Sequence, residues 1–253
     1  KKGGNILSIE VSKLSFSYGD HLIFDDISFT AYDNQLLSII GSNGAGKSTM
    51  FRCILGLLNG YKGKVLFNGI DIKGLSAKEM AKLVAYIPQS HYPSFNFSVF
   101  DMVLMGTTTQ VSSIASPGKK QIKLALAALE RMGIEHLKNR GYTHISGGER
   151  QLVLIARALV QEAKVLIMDE PTANLDFGNQ VRVMSEIKSL TRDGYTIIQS
   201  THNPEQAFQF SDAVLALKNG KILASGAPTD IFTEPLIQTL YGIDVEMQTL
   251  YGG

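Results

Sequence analysis

Lys47 and Ser48 have the clearest chemistry in this chain, because of what surrounds them. Gly41-Ser42-Asn43-Gly44-Ala45-Gly46-Lys47-Ser48-Thr49 fits the spacing G-x-x-x-x-G-K-[ST] of a phosphate-binding loop. The preceding run, Gln35 to Ile40, is apolar and β-prone, and the following run, Thr49 to Leu55, has a helical pattern. That strand–loop–helix context is what gives the motif meaning. Glycines let successive backbone N–H groups curl toward one concavity, and the helix start adds positive potential. Lys47 is expected to reach the β- and γ-phosphates of a nucleotide, and the Ser48 hydroxyl to ligate Mg²⁺.

A second group ends the apolar run Val165-Leu166-Ile167-Met168 with Asp169-Glu170. A buried strand does not need acids at its end, although such pairs often just open a turn. In a protein with a phosphate loop, the first acid can hold Mg²⁺ and the second can orient and deprotonate the attacking water. A third segment, Ile145-Ser146-Gly147-Gly148-Glu149-Arg150-Gln151, stands before a helical run. Ser146 suits a helix cap, and the glycine pair exposes backbone N–H groups at a positive helix end. Taken alone, this segment reads as an ordinary serine-capped helix.

The elements that must carry these groups follow from the apolar pattern. Ile6 to Leu14, Ile23 to Ala31 and Leu36 to Ile40 read as strands, as does Lys64 to Phe67 before the turn residues Asn68-Gly69. Leu83 to Ile87 is a short apolar run stopped by Pro88. Between about residues 90 and 160 the pattern turns helical: Ser98 to Met105, a polar stretch Thr107 to Ser113, Gln121 to Met132, and Gly148 to Glu162. Alternation then resumes. Val165 to Met168, Tyr195 to Ser200 and Ala213 to Leu217 are strands, and Asn179 to Leu190 and Pro204 to Phe210 are helices. Lys218-Asn219-Gly220-Lys221 turns into Ile222 to Ala224. Strands alternating with helices imply an α/β domain with a mainly parallel sheet.

The bulk numbers agree. The chain has 253 residues, 44% of them hydrophobic, and a net charge of +1, so a sizeable core is available and no basic footprint for nucleic acid is present. The single cysteine, Cys53, excludes a disulfide framework and reads as a small buried apolar residue. No apolar run approaches the ~18 residues of a membrane span. Lys1-Lys2-Gly3-Gly4-Asn5 leads into a strand pattern rather than a signal-peptide block. The expectation is a soluble, cytoplasmic chain that reaches a membrane only through a partner.

Ser146-Gly147-Gly148-Glu149-Arg150-Gln151, then Ala156-Arg157-Ala158-Leu159, Asp169-Glu170-Pro171-Thr172 and Asn174-Leu175-Asp176, together resemble the motif series of an ABC-type ATPase, in the family's order over nearly the whole chain. The resemblance implies one nucleotide-binding domain over residues 1–253. Its core and an N-terminal antiparallel β subdomain would take 1–88 and 161–253, and a helical subdomain would take 89–160. It implies that Tyr18 stacks on adenine, that Gln89 touches Mg²⁺ or the water, and that His202 contacts the γ-phosphate. Asp176 would communicate across a dimer. The remaining histidines, His21, His91, His136 and His144, match nothing. Ile145 stands where leucine is usual and Glu149 where glutamine is common. In this family two copies pair head to tail, so Ser146, Gly147, Gly148 and Glu149 of one chain would cover ATP held by Gly41–Thr49 of the other.

Val99-Phe100-Asp101-Met102-Val103-Leu104-Met105-Gly106 and the tail from Ile231 to Val245 resemble ATPases of iron-siderophore, haem and cobalamin importers. Thr107 departs from the basic residue that often follows Met-Gly. The resemblance implies separate permease subunits docking near residues 89–115, a substrate-binding protein acting indirectly, and a place on the cytoplasmic face of the inner membrane. An exporter ATPase remains a second reading, separable by neighbouring genes. A soluble ABC protein of DNA repair or translation would add coiled coils or a second phosphate loop, and neither is found here.

Overall fold

The structure is a computed structural model that describes residues 9–89, 95–110 and 117–246. The expected strand start at Ile6, His91, the polar residues from Val111 to Ser113 and parts of the 89–115 region lie outside the described residues. The chain divides into two compact units, one drawn from Lys1–Asp71 and Ile198–Gly253, the other from Ile72–Ile197.

The first unit opens with β1 (Ile9–Tyr18), β2 (His21–Ala31), β3 (Leu36–Ile40), α1 (Lys47–Ile54), β4 (Lys62–Phe67) and β5 (Ile70–Asp71). Four of these strands form an antiparallel sheet in the order β2-β1-β4-β5. β1 runs four residues past the expected end at Leu14. The cause is a bulge: the register shifts between Val11 and Leu14, and Lys13 sits at φ 51. The extra residue moves the inward-facing set from Ile9 and Val11 to Leu14 and Phe16, all buried. A single alternation pattern therefore loses the second half of the strand.

All five residues of β3 are buried. Burial on both faces is the mark of a parallel strand covered by helices. Leu36, Leu37, Ile39 and Ile40 each contribute about 1.5–3 kcal/mol by leaving water. After the chain returns, α7 (Pro204–Phe210), β9 (Ala213–Lys218), β10 (Lys221–Gly226), α8 (Pro228–Ile231) and α9 (Glu234–Tyr241) complete the unit. β9 lies parallel to β3 and antiparallel to β10. Asn219 and Gly220, at φ 48 and 70, form the two-residue turn that right-twisted strands favour. The tail packs Phe232, Ile237 and Leu240 against Ile40, Val214 and Ala216.

The second unit contains α2 (Ala77–Leu83), β6 (Val84–Ile87), α3 (Val99–Leu104), α4 (Lys119–Arg131), α5 (Gly147–Leu159), β7 (Val165–Asp169) and α6 (Phe177–Arg192). β6 and β7 are parallel, with Val84 opposite Val165 and Ile87 opposite Met168. β8 (Thr196–Thr201) begins in this unit, and the unit boundary falls inside it. The helix expected from Ser98 to Met105 runs Val99–Leu104: Ser98 is its cap, and at Met105 the chain passes into a 3-10 turn, Met105–Gln110. Arg131 of α4 joins Glu186 and Asp193 at 3.1 and 2.7 Å, tying α4 to α6 and its end. Among the described residues, no helix is long and apolar enough to cross a membrane.

Candidate nucleotide site

The loop between β3 and α1 belongs to the first unit, with Tyr18 and His202. Gln89, Asp169, Glu170, the 146–149 segment and Asp176 belong to the second.

In the first unit the loop is built on an open helix start. Gly46 precedes α1 in the left-handed region, at φ 98, and no side chain caps the helix. A side chain at Gly46 would also press on Ile23 Cγ2 at 3.1 Å. The first turn of α1 has no acidic residue. Uncapped N–H groups and the helix dipole at this end suit an anion. The buried Lys47 ammonium donates to the carbonyls of Gly41 at 2.7 Å and Ser42 at 3.1 Å, so its charge is held at the loop. Asn43 and Gly44 are exposed, Ala45 is buried, and Ser48 and Thr49 are half-buried.

His202 is exposed directly after β8. The neighbouring Asn203 pins its backbone, donating its N–H to Thr201 Oγ1 at 3.1 Å and capping α7 through Gln206. Ile198–Thr201, the part of β8 in this unit, lies next to β3. Gln199 Nε2 donates to Ser38 Oγ at 2.9 Å, and Ser38 Oγ meets Ser211 Oγ at 2.6 Å. This buried chain ties the strand leading to His202 to the strand leading to the loop. Tyr18, 45% exposed at the end of β1, meets Phe16 edge to face and can stack on a flat ligand.

In the second unit β7 delivers the two carboxylates. Asp169 is buried at the strand end and Glu170 is half-buried beyond it. Glu170 takes a left-handed backbone, φ 45, and its carbonyl accepts from Ala173 N at 3.0 Å. A non-glycine residue in that region costs about 1–2 kcal/mol, and such strain gathers where a side chain must be aimed. The Glu170 carboxylate accepts from Gln89 Nε2 at 3.2 Å. Gln89 and Glu170, 81 positions apart in the chain, are thus brought together. Asp169 and Gln89 of this unit each carry hard oxygen atoms, as does Ser48 of the first unit, and oxygen is the donor chemistry that suits Mg²⁺.

α5 starts with a closed cap. Ser146 Oγ accepts from Glu149 N at 3.3 Å, and Glu149 Oε2 accepts from Ser146 N at 2.8 Å. The Ser146 backbone N–H, chiefly, holds the Glu149 carboxyl below its ordinary range, with smaller help from His136 and Arg140. Ser146 and Gly147 are exposed, and Gly148 is buried. Asp176 caps α6, accepting from Asn179 N at 2.9 Å and Asn179 Nδ2 at 2.6 Å. Those two donors lower the Asp176 carboxyl. Asn179 was not singled out in the sequence; the capping signal there is Asp176, which needs only the backbone N–H of the residue three positions on.

Beside Gln89 in the chain, Tyr86, Pro88, Met105, Gly106, Thr108, Arg157 and Gln161 line a cavity of about 210 Å³. Thr107, between two of the lining residues in the chain, is buried and donates to the Leu104 carbonyl at 2.8 Å.

The ABC transporter family profile matches residues 24–173. An ABC transporter ATP-binding protein of Haemophilus influenzae is 40% identical over 96% of this chain and 92% of its own length. A Helicobacter pylori ATP-binding protein, assigned to iron chelatin transport, is 39% identical over 94% of each chain. A transporter assigned to the metal-chelate type, solved in an inward-facing conformation, superposes with a TM-score of 0.87 at 31% identity, over 98% of this chain and 94% of that one. With a phosphate loop, a carboxylate-tipped strand and this breadth of likeness, the chain belongs to the ABC transporter family as an ATP-binding subunit, and it is an ATPase.

Proposed function

We propose that this subunit powers import of a metal chelate of the iron-siderophore, haem or cobalamin kind, through separate permease subunits on the cytoplasmic face of the inner membrane. The iron chelatin and metal-chelate relatives support that class. The observation that carries the chemistry is the Glu170 carboxylate, set on a strained backbone and held by the Gln89 amide. In this reading Glu170 is the base for the attacking water, His202 and Lys47 attend the γ-phosphate, and Gln89 senses the permease. Gly41 to Thr49 cradle the phosphates, Tyr18 stacks on adenine, and Ser48, Asp169 and Gln89 hold Mg²⁺. The metal supplies charge neutralisation of the phosphates when bound.

Two copies pair head to tail, with Ser146, Gly147, Gly148 and Glu149 of one chain against ATP on the other, and Asp176 at the seam. One helix start and one lysine leave much of a triphosphate in water, and a second set of N–H groups would exclude it. The helical subdomain is residues 89–160, and the cavity lined by Met105, Thr108 and Arg157 receives the permease. A substrate-binding protein acts upstream.

The test is Glu170→Gln. The variant should bind ATP, dimerise with it, and lose hydrolysis by two to three orders of magnitude, as removal of a catalytic group does. A monomer in saturating ATP, both alone and with membrane subunits, would remove the shared-nucleotide reading. For the class, the chain should co-purify with its membrane subunits, and the cognate binding protein should carry a metal chelate. A charge placed at exposed Thr108 should abolish uptake and leave basal hydrolysis intact, and unchanged uptake would remove the docking assignment.

A further inference from the structure

We propose that Asn179 is a positioning residue that locks the Asp176 loop to the backbone of the 146–148 segment, so that the two act as one rigid piece. The inference rests on the reading that this segment faces a nucleotide held by a second copy.

The observations come from both sides of the Asn179 amide. Its Nδ2 donates to Asp176 Oδ2 at 2.6 Å, while its own backbone N–H donates to Asp176 Oδ1 at 2.9 Å. Both carboxylate oxygens of Asp176 are thereby engaged by one residue. The other end of the amide lies on the start of α5. A Cβ at Gly148 would stand 2.4 Å from Asn179 Oδ1 and 2.7 Å from its Cγ. Gly148 is glycine because the Asn179 amide fills the space a side chain would need. One residue earlier, a Cβ at Gly147 would stand 3.1 Å from Leu175 Cδ2, so the same loop packs along both glycines.

The physical consequence is mechanical. The 146–148 backbone cannot shift toward the Asp176 loop without meeting the amide. The amide cannot turn away without breaking a short hydrogen bond to a carboxylate. Hydrogen bonds to ionised acceptors are about twice as strong as neutral ones. Displacement of the backbone that meets the triphosphate is therefore passed to Asp176. Phe177, 76% exposed beside Asp176, moves with it.

Two variants of the full-length chain test this. Asn179→Ala removes the tie without adding bulk. It should lower kcat for ATP about tenfold while leaving KM for ATP within twofold, because the phosphate loop is untouched. Asn179→Asp keeps the shape but sets a second carboxylate 2.6 Å from Asp176. Two carboxylates that close share one proton, with one of them titrating well above its normal range. Its kcat should fall at pH 8 and climb back toward wild type by pH 6, whereas a residue needed only for folding would give a flat ratio. Wild-type kcat in both variants, or an Asn179→Asp pH profile parallel to wild type, would overturn the proposal. In a Glu170→Gln background, ATP-induced dimerisation should weaken several-fold with Asn179→Ala. Dimers that form equally well with and without Asn179 would sink the positioning role alone. Absence of dimers even with Asn179 intact would sink the shared-nucleotide reading and this inference with it.

Discussion

α1 begins after a glycine and α5 begins with a glycine pair, yet their ends are built in opposite ways. At α1 a left-handed Gly46 leads in, no side chain caps the helix, and no acid occupies the first turn. At α5 a serine and a glutamate satisfy each other's backbone N–H groups in a closed capping box. The first end leaves its N–H groups without a side-chain cap, a setting that suits an anion. The second is stable as it stands and presents only the glycine pair between its capping residues. The difference teaches that glycine near a helix start does not by itself decide whether the end is open or closed; the side chains beside it do. Stability was given up at α1 and kept at α5.

The largest expected effect comes from closing the open end. Gly46→Ser would supply a cap but force a side chain into φ 98 and against Ile23. ATP affinity should fall on the order of 100-fold, the scale of losing preorganised donors to an oxyanion. Equilibrium binding of a fluorescent ATP analogue would measure it, and undiminished binding would erase the contrast between the two ends.

Opening the closed end should cost less. Ser146→Ala removes the cap and should destabilise by about 1 kcal/mol, lowering Tm by roughly 2–4 °C for a chain of this size. Calorimetry at pH 7 reads this directly.

Glu149→Gln sharpens the comparison through pH. The Glu149 carboxyl is held low by the Ser146 N–H, so its folded pKa is depressed. Its stabilisation is present above the unfolded value, near 4.3, and fades as pH falls through the folded one. Gln keeps the geometry and does not titrate. Thermal melts from pH 7 to pH 3 should therefore show a slightly smaller drop for Glu149→Gln than for wild type. Equal slopes would show that the box does not depend on charge. The smallest effect concerns Cys53 inside α1. Burial pushes its thiol up to about 12, so iodoacetamide should leave the native protein unmodified and label it only on unfolding.

Much of this was legible in the chain. Leu36–Ile40 was read to the residue because an apolar run bounds it, and a short helix was placed near Pro204–Phe210 because a proline suits a helix start. α2 was not read, although Ser76 and Glu79 form a visible capping box. Its seven residues bury only Met80, so it lacks the apolar stripe that reveals a helix. β1 was cut short because a bulge at Lys13 changes the phase of alternation, and no local residue announces it. At the site, the loop, the acids and the glycine pair were readable as motifs. Asn179 was not, because its role comes from packing against Gly148, 31 positions away, and a one-dimensional spacing carries no such contact.

Glu170 has a last consequence. A glutamate kept in a left-handed conformation sits where asparagine or glycine would be more comfortable. Selection for heat endurance alone would drift toward those replacements, and, on the proposed role of Glu170 as the base, every such step would trade away a working motor for a more durable shell. If that role holds, screens that rank variants of this chain by melting point will harvest idle ones at that position first.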